Sequence, residues 1–129
     1  MVEVKIDYLS DLRCKAVHVP SGQSIITDAP VDNMGKGEYF SPTDLTAAAL
    51  GTCMVTIMGI AADKHGINLA GTKCTVTKEM ASAPARMIGR LTVTITVPGQ
   101  KSDEHKKILE QAAFHCPVHK SLHCDVEII

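Results

Sequence analysis

The chain has 129 residues, 45% hydrophobic and 21% charged, and thirteen basic against fourteen acidic residues leave a net charge of -1. That size fits one domain whose core removes roughly two thirds of the unfolded surface from water, and the composition excludes disordered and collagen-like chains. With no basic surplus, no Trp and only Tyr8, Tyr39, Phe40 and Phe114 as aromatics, neither a phosphate-binding surface nor a base-stacking platform is expected, and no nucleic-acid partner is expected either.

Val2 to Tyr8 is expected to form a strand, broken at Ser10-Asp11. Leu12 to Val19 alternates and ends at the turn signal Pro20-Ser21-Gly22, and the β-branched run Gln23 to Thr27 completes an antiparallel meander. Asp28 to Ser41 has no regular pattern, and a stretch of that length inside a compact domain is often functional.

Ser41-Pro42-Thr43-Asp44 has the chemistry of a helix start: a hydroxyl to accept the Asp44 amide, Pro at the first helical position and an acid at the positive dipole end. The helix is expected to run to about His65 and stop at Gly66. Its segment Leu45 to Ala62 carries no charge and approaches the length of a membrane span. It is rich in Ala, Gly and Thr, however, and closely bracketed by Asp44 and Asp63-Lys64. A helix apolar on all sides and buried in a soluble protein is the better reading, with no membrane as partner.

Leu69 to Ala81 and Arg86 to Val97 follow as two long strands, reversed by Ala83-Pro84-Ala85. In the second, Leu91, Val93, Ile95 and Val97 share one face and Thr92, Thr94 and Thr96 the other. Lys101 to Ala113 is a second helix capped by Ser102, Pro117 opens a short helical turn with Cys116 as its N-cap, and Cys124 to Ile129 is a last strand. The order βββ-α-ββ-α-β is α+β and mostly antiparallel, with no repeat or linker to divide it.

Five cysteines are too few for a disulfide scaffold and, being odd in number, cannot all pair within one chain. The N-terminal MVEVKIDYLSDLRC has no apolar signal-peptide core, so a reducing, cytoplasmic compartment is expected. Cys53 reads first as a small apolar residue of the helix. Cys116 directs its sulfur at unpaired amides, which favours thiolate. Cys14 and Cys74 lie in strands and read as structural, and Met54 and Met58 as core or subunit contacts. Cys116, His119, His123 and Cys124 form a C-x2-H-x3-H-C set with zinc-ligand chemistry, but adjacent His123 and Cys124 would point apart at the start of a strand.

SPTDLTAAALGTC followed by HCPVHKSL resembles the osmotically inducible protein C and organic hydroperoxide resistance superfamily of thiol peroxidases. The likeness spans Leu12 to Ile129 and includes the order of elements. It implies largely antiparallel sheets around a long, buried central helix in an intertwined homodimer. It also implies that Cys53 is the peroxidatic cysteine and Cys116 the resolving one. The substrate would be an organic hydroperoxide. No bound cofactor is implied, and an external dithiol, lipoyl-bearing or small, would be the reductant. The family's arginine matches Arg13, a group suited to lowering a thiol pKa. The family's glutamate falls at Thr43 here, so Glu38 in the preceding loop or Asp44 is expected to substitute, although Asp44 also suits the helix cap. Two other readings remain: an OsmC-like protein of little or no catalytic activity that binds an apolar small ligand, and a zinc-binding structural protein.

Overall fold

The computed structural model describes residues 1–123 and 125–129, and the chain divides into two compact units, Met1–Leu45 and Thr46–Ile129. In the first, β1 (Val4–Ser10), β2 (Arg13–His18) and β3 (Ser24–Asp28) make an antiparallel sheet in that order. The β1–β2 hairpin closes between Ser10 and Arg13 after an irregularity at Leu9, and Ser10, Asp11 and Leu12 all have positive φ, at 75°, 54° and 63°. Positive φ at both central residues is the hairpin turn that matches strand twist. Here Asp-Leu occupies it in place of the usual Asn-Gly. Beyond β3 the chain makes one 3-10 turn, Val31–Asn33, and an otherwise irregular loop.

Helix α1 (Pro42–His65) starts where the sequence indicates. The Asp44 amide donates to Ser41 Oγ at 3.1 Å, and the Ser41 amide donates to Asp44 Oδ2 at 3.0 Å. This reciprocal pair is a capping box with Asp in the acidic position. At the other end Gly66 has φ 64° and the Ile67 amide reaches the Ala62 carbonyl at 2.9 Å, which ends the helix in a Schellman motif.

The second unit is built on β4 (Lys73–Ala81), β5 (Met87–Thr96) and β6 (Asp125–Ile128). β4 and β5 pair antiparallel through almost their whole length, whereas β6 pairs parallel to β5. β4 begins four residues later than the sequence pattern suggests. Asn68 Oδ1 accepts the Ala70 amide, and the Leu69 carbonyl takes both the amide and the hydroxyl of Thr72, so Leu69–Thr72 is a turn. α2 (Asp103–Phe114) is capped by Ser102, which accepts from the His105 amide at 3.1 Å, and α3 (Pro117–Ser121) follows at once.

Along α1, Ala47, Leu50, Gly51, Met54, Met58 and Ala62 form a buried stripe at helical spacing. In the core of the second unit this stripe is joined by Leu91 and Val93 of β5 and Leu109 and Ala113 of α2. Gly51 permits the approach of α1 to β4: a Cβ there would lie 2.7 Å from Val76 Cγ2 and 3.2 Å from Cys74 Sγ. α1 is long and apolar enough to cross a membrane by length and composition, and 33% of its most apolar window is buried. Outside the buried stripe, Ala49, Thr52, Thr56 and Ile60 are exposed.

Candidate active site

The second unit carries both candidate redox thiols. Cys53 lies on α1 one position before Met54 of the buried stripe, and is half-buried. Cys116 is fully buried as the N-cap of α3, with its sulfur accepting the His119 amide at 3.4 Å. Cys53 is near enough to Cys116 to act on its thiol. Helix α2 ends at Phe114, and the His115 amide bonds back to the Ala112 carbonyl, so the chain turns sharply to present Cys116.

The N-cap geometry of Cys116 is the expected one, but the expected bias toward thiolate is not. Burial pushes the Cys116 thiol up, the neighbouring Cys53 pushes it further, and the His119 and Val118 amides only partly oppose them. The dipole of a five-residue helix cannot compensate for removal of a sulfur anion from water. Cys116 is therefore held as a thiol at rest. Cys74 is likewise raised by burial, while Cys14 is a half-buried residue of β2. Cys14, Cys53, Cys74 and Cys116 are all reduced. Cys124 lies outside the described residues, and with it the fourth member of the zinc-like set. Among the described residues, no three His, Cys, Asp or Glu side chains are grouped to hold a metal.

The first unit carries a charged cluster. Arg13 Nη2 lies 3.0 Å from Glu38 Oε2 and 3.4 Å from Asp28 Oδ2, and the guanidinium stacks 5.1 Å from the centre of the Tyr39 ring. Asp28 is completely buried, Arg13 mostly so, and Glu38 about half exposed. The hydrogen bond to Glu38 raises the Arg13 pKa above its ordinary value, against desolvation. For Asp28, burial alone would raise the pKa. The Glu38 amide, Arg13 and the Ala29 amide outweigh it and hold the carboxyl below its ordinary range.

Arg13 and Glu38 are thus brought together, while Asp44 uses its carboxylate in the helix cap. Sequence reasoning missed Asp28, although a signal was present. Counting outward from a turn centred between Pro20 and Ser21 pairs Arg13 with Asp28, and these are Cα partners in the β2–β3 ladder.

A further feature of the second unit is a cavity of about 460 Å³. Met58, Ile95, Val97, Leu109, Phe114 and Ile128 supply most of its apolar lining.

Residues 35–129 match the family model of OsmC-like proteins, which covers both thiols and Glu38. The chain belongs to the OsmC-like protein family. Among solved structures, it is 46% identical to a proposed osmotic stress induced and detoxification response protein from Psychrobacter arcticus, covering 100% of this chain and 95% of that one at a TM-score of 0.93. The organic hydroperoxide resistance protein OsmC of Legionella pneumophila superposes at a TM-score of 0.79 with 16% identity, covering 99% and 94%. The organic hydroperoxide resistance protein OhrB of Bacillus subtilis does so at 0.73 with 15% identity, covering 99% and 96%. These last two show a shared OsmC-like fold. No curated protein matches the sequence significantly.

Proposed function

We propose that this OsmC-like protein has a redox, peroxide-resistance role, and specifically that it is a thiol-dependent peroxidase of organic hydroperoxides. The observation that carries the reading is a neighbouring pair of free thiols, one half-exposed on α1 and one fully buried at the start of α3. Solvent access suits Cys53 to meet a substrate, and burial suits Cys116 to wait for an oxidised neighbour.

The Cys53 thiolate attacks the distal oxygen of ROOH. An S–O bond forms, the O–O bond breaks, and RO⁻ leaves as the alcohol after taking a proton. Cys116, once deprotonated, attacks the Cys53 sulfenic sulfur; the S–S bond forms, the S–O bond breaks, and hydroxide leaves as water. A dithiol, lipoyl-linked or small, then reduces the disulfide by exchange and is itself oxidised to a disulfide. No bound cofactor takes part. The roles assigned to Arg13 and Glu38 are electrostatic: a guanidinium favours thiolate, and a carboxylate fixes the guanidinium.

The functional form is proposed to be a cytoplasmic homodimer, in line with the incompletely covered apolar surface of α1 and the exposure of Val4, Ile6 and Tyr8 on β1. Peroxide consumption with a dithiol tests the reading. Wild-type turnover that disappears in Cys53→Ser supports it, and full activity in that variant sinks it.

The apolar cavity favours a second reading, an OsmC-like protein that binds an apolar small ligand without turnover. No consumption of any hydroperoxide, together with saturable binding of an apolar fluorescent probe, would favour that reading.

A further inference from the structure

Asp28 is a buried acid that the thiol chemistry does not itself use. Its Oδ2 is shared between Arg13 Nη2 at 3.4 Å and the backbone amide of Glu38 at 3.1 Å. Glu38 in turn returns its own carboxylate to the same Arg13 nitrogen at 3.0 Å. The contacts therefore close a ring: guanidinium to Asp28, Asp28 to the Glu38 main chain, and the Glu38 side chain back to the guanidinium. Glu38 is held at both ends, and a loop with only a single 3-10 turn acquires a fixed carboxylate.

The arrangement is poor as a device for stability alone. A carboxylate–arginine pair built for strength is bidentate. Here Asp28 Oδ1 and Arg13 Nε are buried with no hydrogen-bond partner, and each unmet group carries a desolvation cost. What the single shared oxygen provides is geometric. β3 ends at Asp28 directly across from Arg13 at the start of β2, and the Asp28 amide also bonds to the Phe40 carbonyl at 3.1 Å. The loop is thereby pinned to the sheet on both sides of Tyr39.

We propose that Asp28 is a positioning residue that fixes Arg13 and Glu38 relative to each other through one shared oxygen. The proposal rests on the peroxidase reading for its consequence in turnover, and on the ring of contacts for its geometry. Asp28→Asn removes the charge and keeps the shape; Arg13→Ala removes the group through which Asp28 would act. Small displacements of positioned groups cost up to about 100-fold in rate.

The deciding experiment is a double-mutant cycle on kcat/KM for an organic hydroperoxide with a dithiol. Asp28→Asn is expected to lower kcat/KM about 10-fold in the wild-type background and to cost nothing further in Arg13→Ala. A purely structural Asp28 would impose the same factor in both backgrounds, and that result, or an unchanged kcat/KM in Asp28→Asn, overturns the proposal. If the wild type shows no turnover, the peroxidase reading falls, and hydrogen exchange still decides the geometry. The Glu38 amide should exchange slowly in the wild type and at least about 10-fold faster in Asp28→Ala; unchanged exchange overturns the proposal whatever the activity.

Discussion

Cys53 lies near enough to Cys116 to act on its thiol although they sit on different helices, and only Cys116 is fully buried. Burial and the neighbouring sulfur raise the Cys116 thiol. Since thiolate is the species that alkylates, Cys116 should react with iodoacetamide more slowly than a free cysteine at neutral pH, and its rate should keep rising above the ordinary thiol range near about 8.5. Mass-spectrometric rates for each cysteine from neutral to alkaline pH check this. Alkylation of Cys116 at the free-cysteine rate at neutral pH would contradict it.

The same asymmetry separates the two proposed half-reactions. Cys116→Ser removes the sulfur that would condense with the Cys53 sulfenic acid, but leaves the first attack intact. One equivalent of hydroperoxide should be consumed per chain in a burst, with turnover by a dithiol then much reduced. A sulfenic-acid trap should label Cys53 in this variant and not in Cys53→Ser. Absence of both burst and label would count against Cys53 as the first nucleophile.

Asp28 gives the first unit a predictable acid response. Its folded-state pKa lies below the unfolded one, so its contribution is present above about pH 3.9 and is lost as pH falls through the lower folded value. The wild type should therefore lose its stability advantage over Asp28→Asn on acidification. Urea midpoints of the two proteins, separated at pH 7, should draw together as pH falls below about 3.9. A constant gap would show that ionisation of Asp28 is not the source.

Much of this arrangement is legible in the chain because it depends on local rules. Ser41, Pro42 and Asp44 mark the start of α1, Gly66 its end, and Cys116 followed by Pro117 the start of α3; each is set by backbone groups within one turn. The failures have a different origin. Leu69 and Thr72 fit a strand by pattern, but side-chain bonds to nearby backbone close a turn there. The raised Cys116 thiol could not be foreseen from its N-cap position, because burial comes from packing of the whole unit. Asp28 was hidden by its place at the end of a strand, where an acid usually marks a turn. Its partner was recoverable only by fixing the hairpin register first.

Glu38 and Asp44 are both candidates for the family's carboxylate, Glu38 favoured by its loop and Asp44 also suited to the helix cap, and their surroundings predict different phenotypes. Asp44→Ala breaks the capping box with Ser41 and should destabilise the fold by about 1 kcal/mol. Glu38 is half exposed and bonded to Arg13, so Glu38→Gln should leave the melting temperature nearly unchanged and lower peroxide turnover. Thermal melts alongside rates distinguish the two. The reverse pattern would reassign the carboxylate role to Asp44.

Gly51→Ala sets two opposing effects against each other. In a helix interior Ala is favoured over Gly by about 1 kcal/mol. The added methyl, however, would sit 2.7 Å from Val76 Cγ2 and 3.2 Å from Cys74 Sγ. Val76 is β-branched, with little rotamer freedom to retreat, and it stands on a strand paired along its length to β5. Overpacking of this kind costs about 1–3 kcal/mol, so the substitution should destabilise by up to about 2 kcal/mol net. The double variant Gly51→Ala/Val76→Ala opens the space the methyl needs. In that background the Gly51 change should become neutral or stabilising by up to about 1 kcal/mol, as helix propensity alone would have it. Equal destabilisation in both backgrounds would mean that close approach to β4 is not what requires glycine at this position.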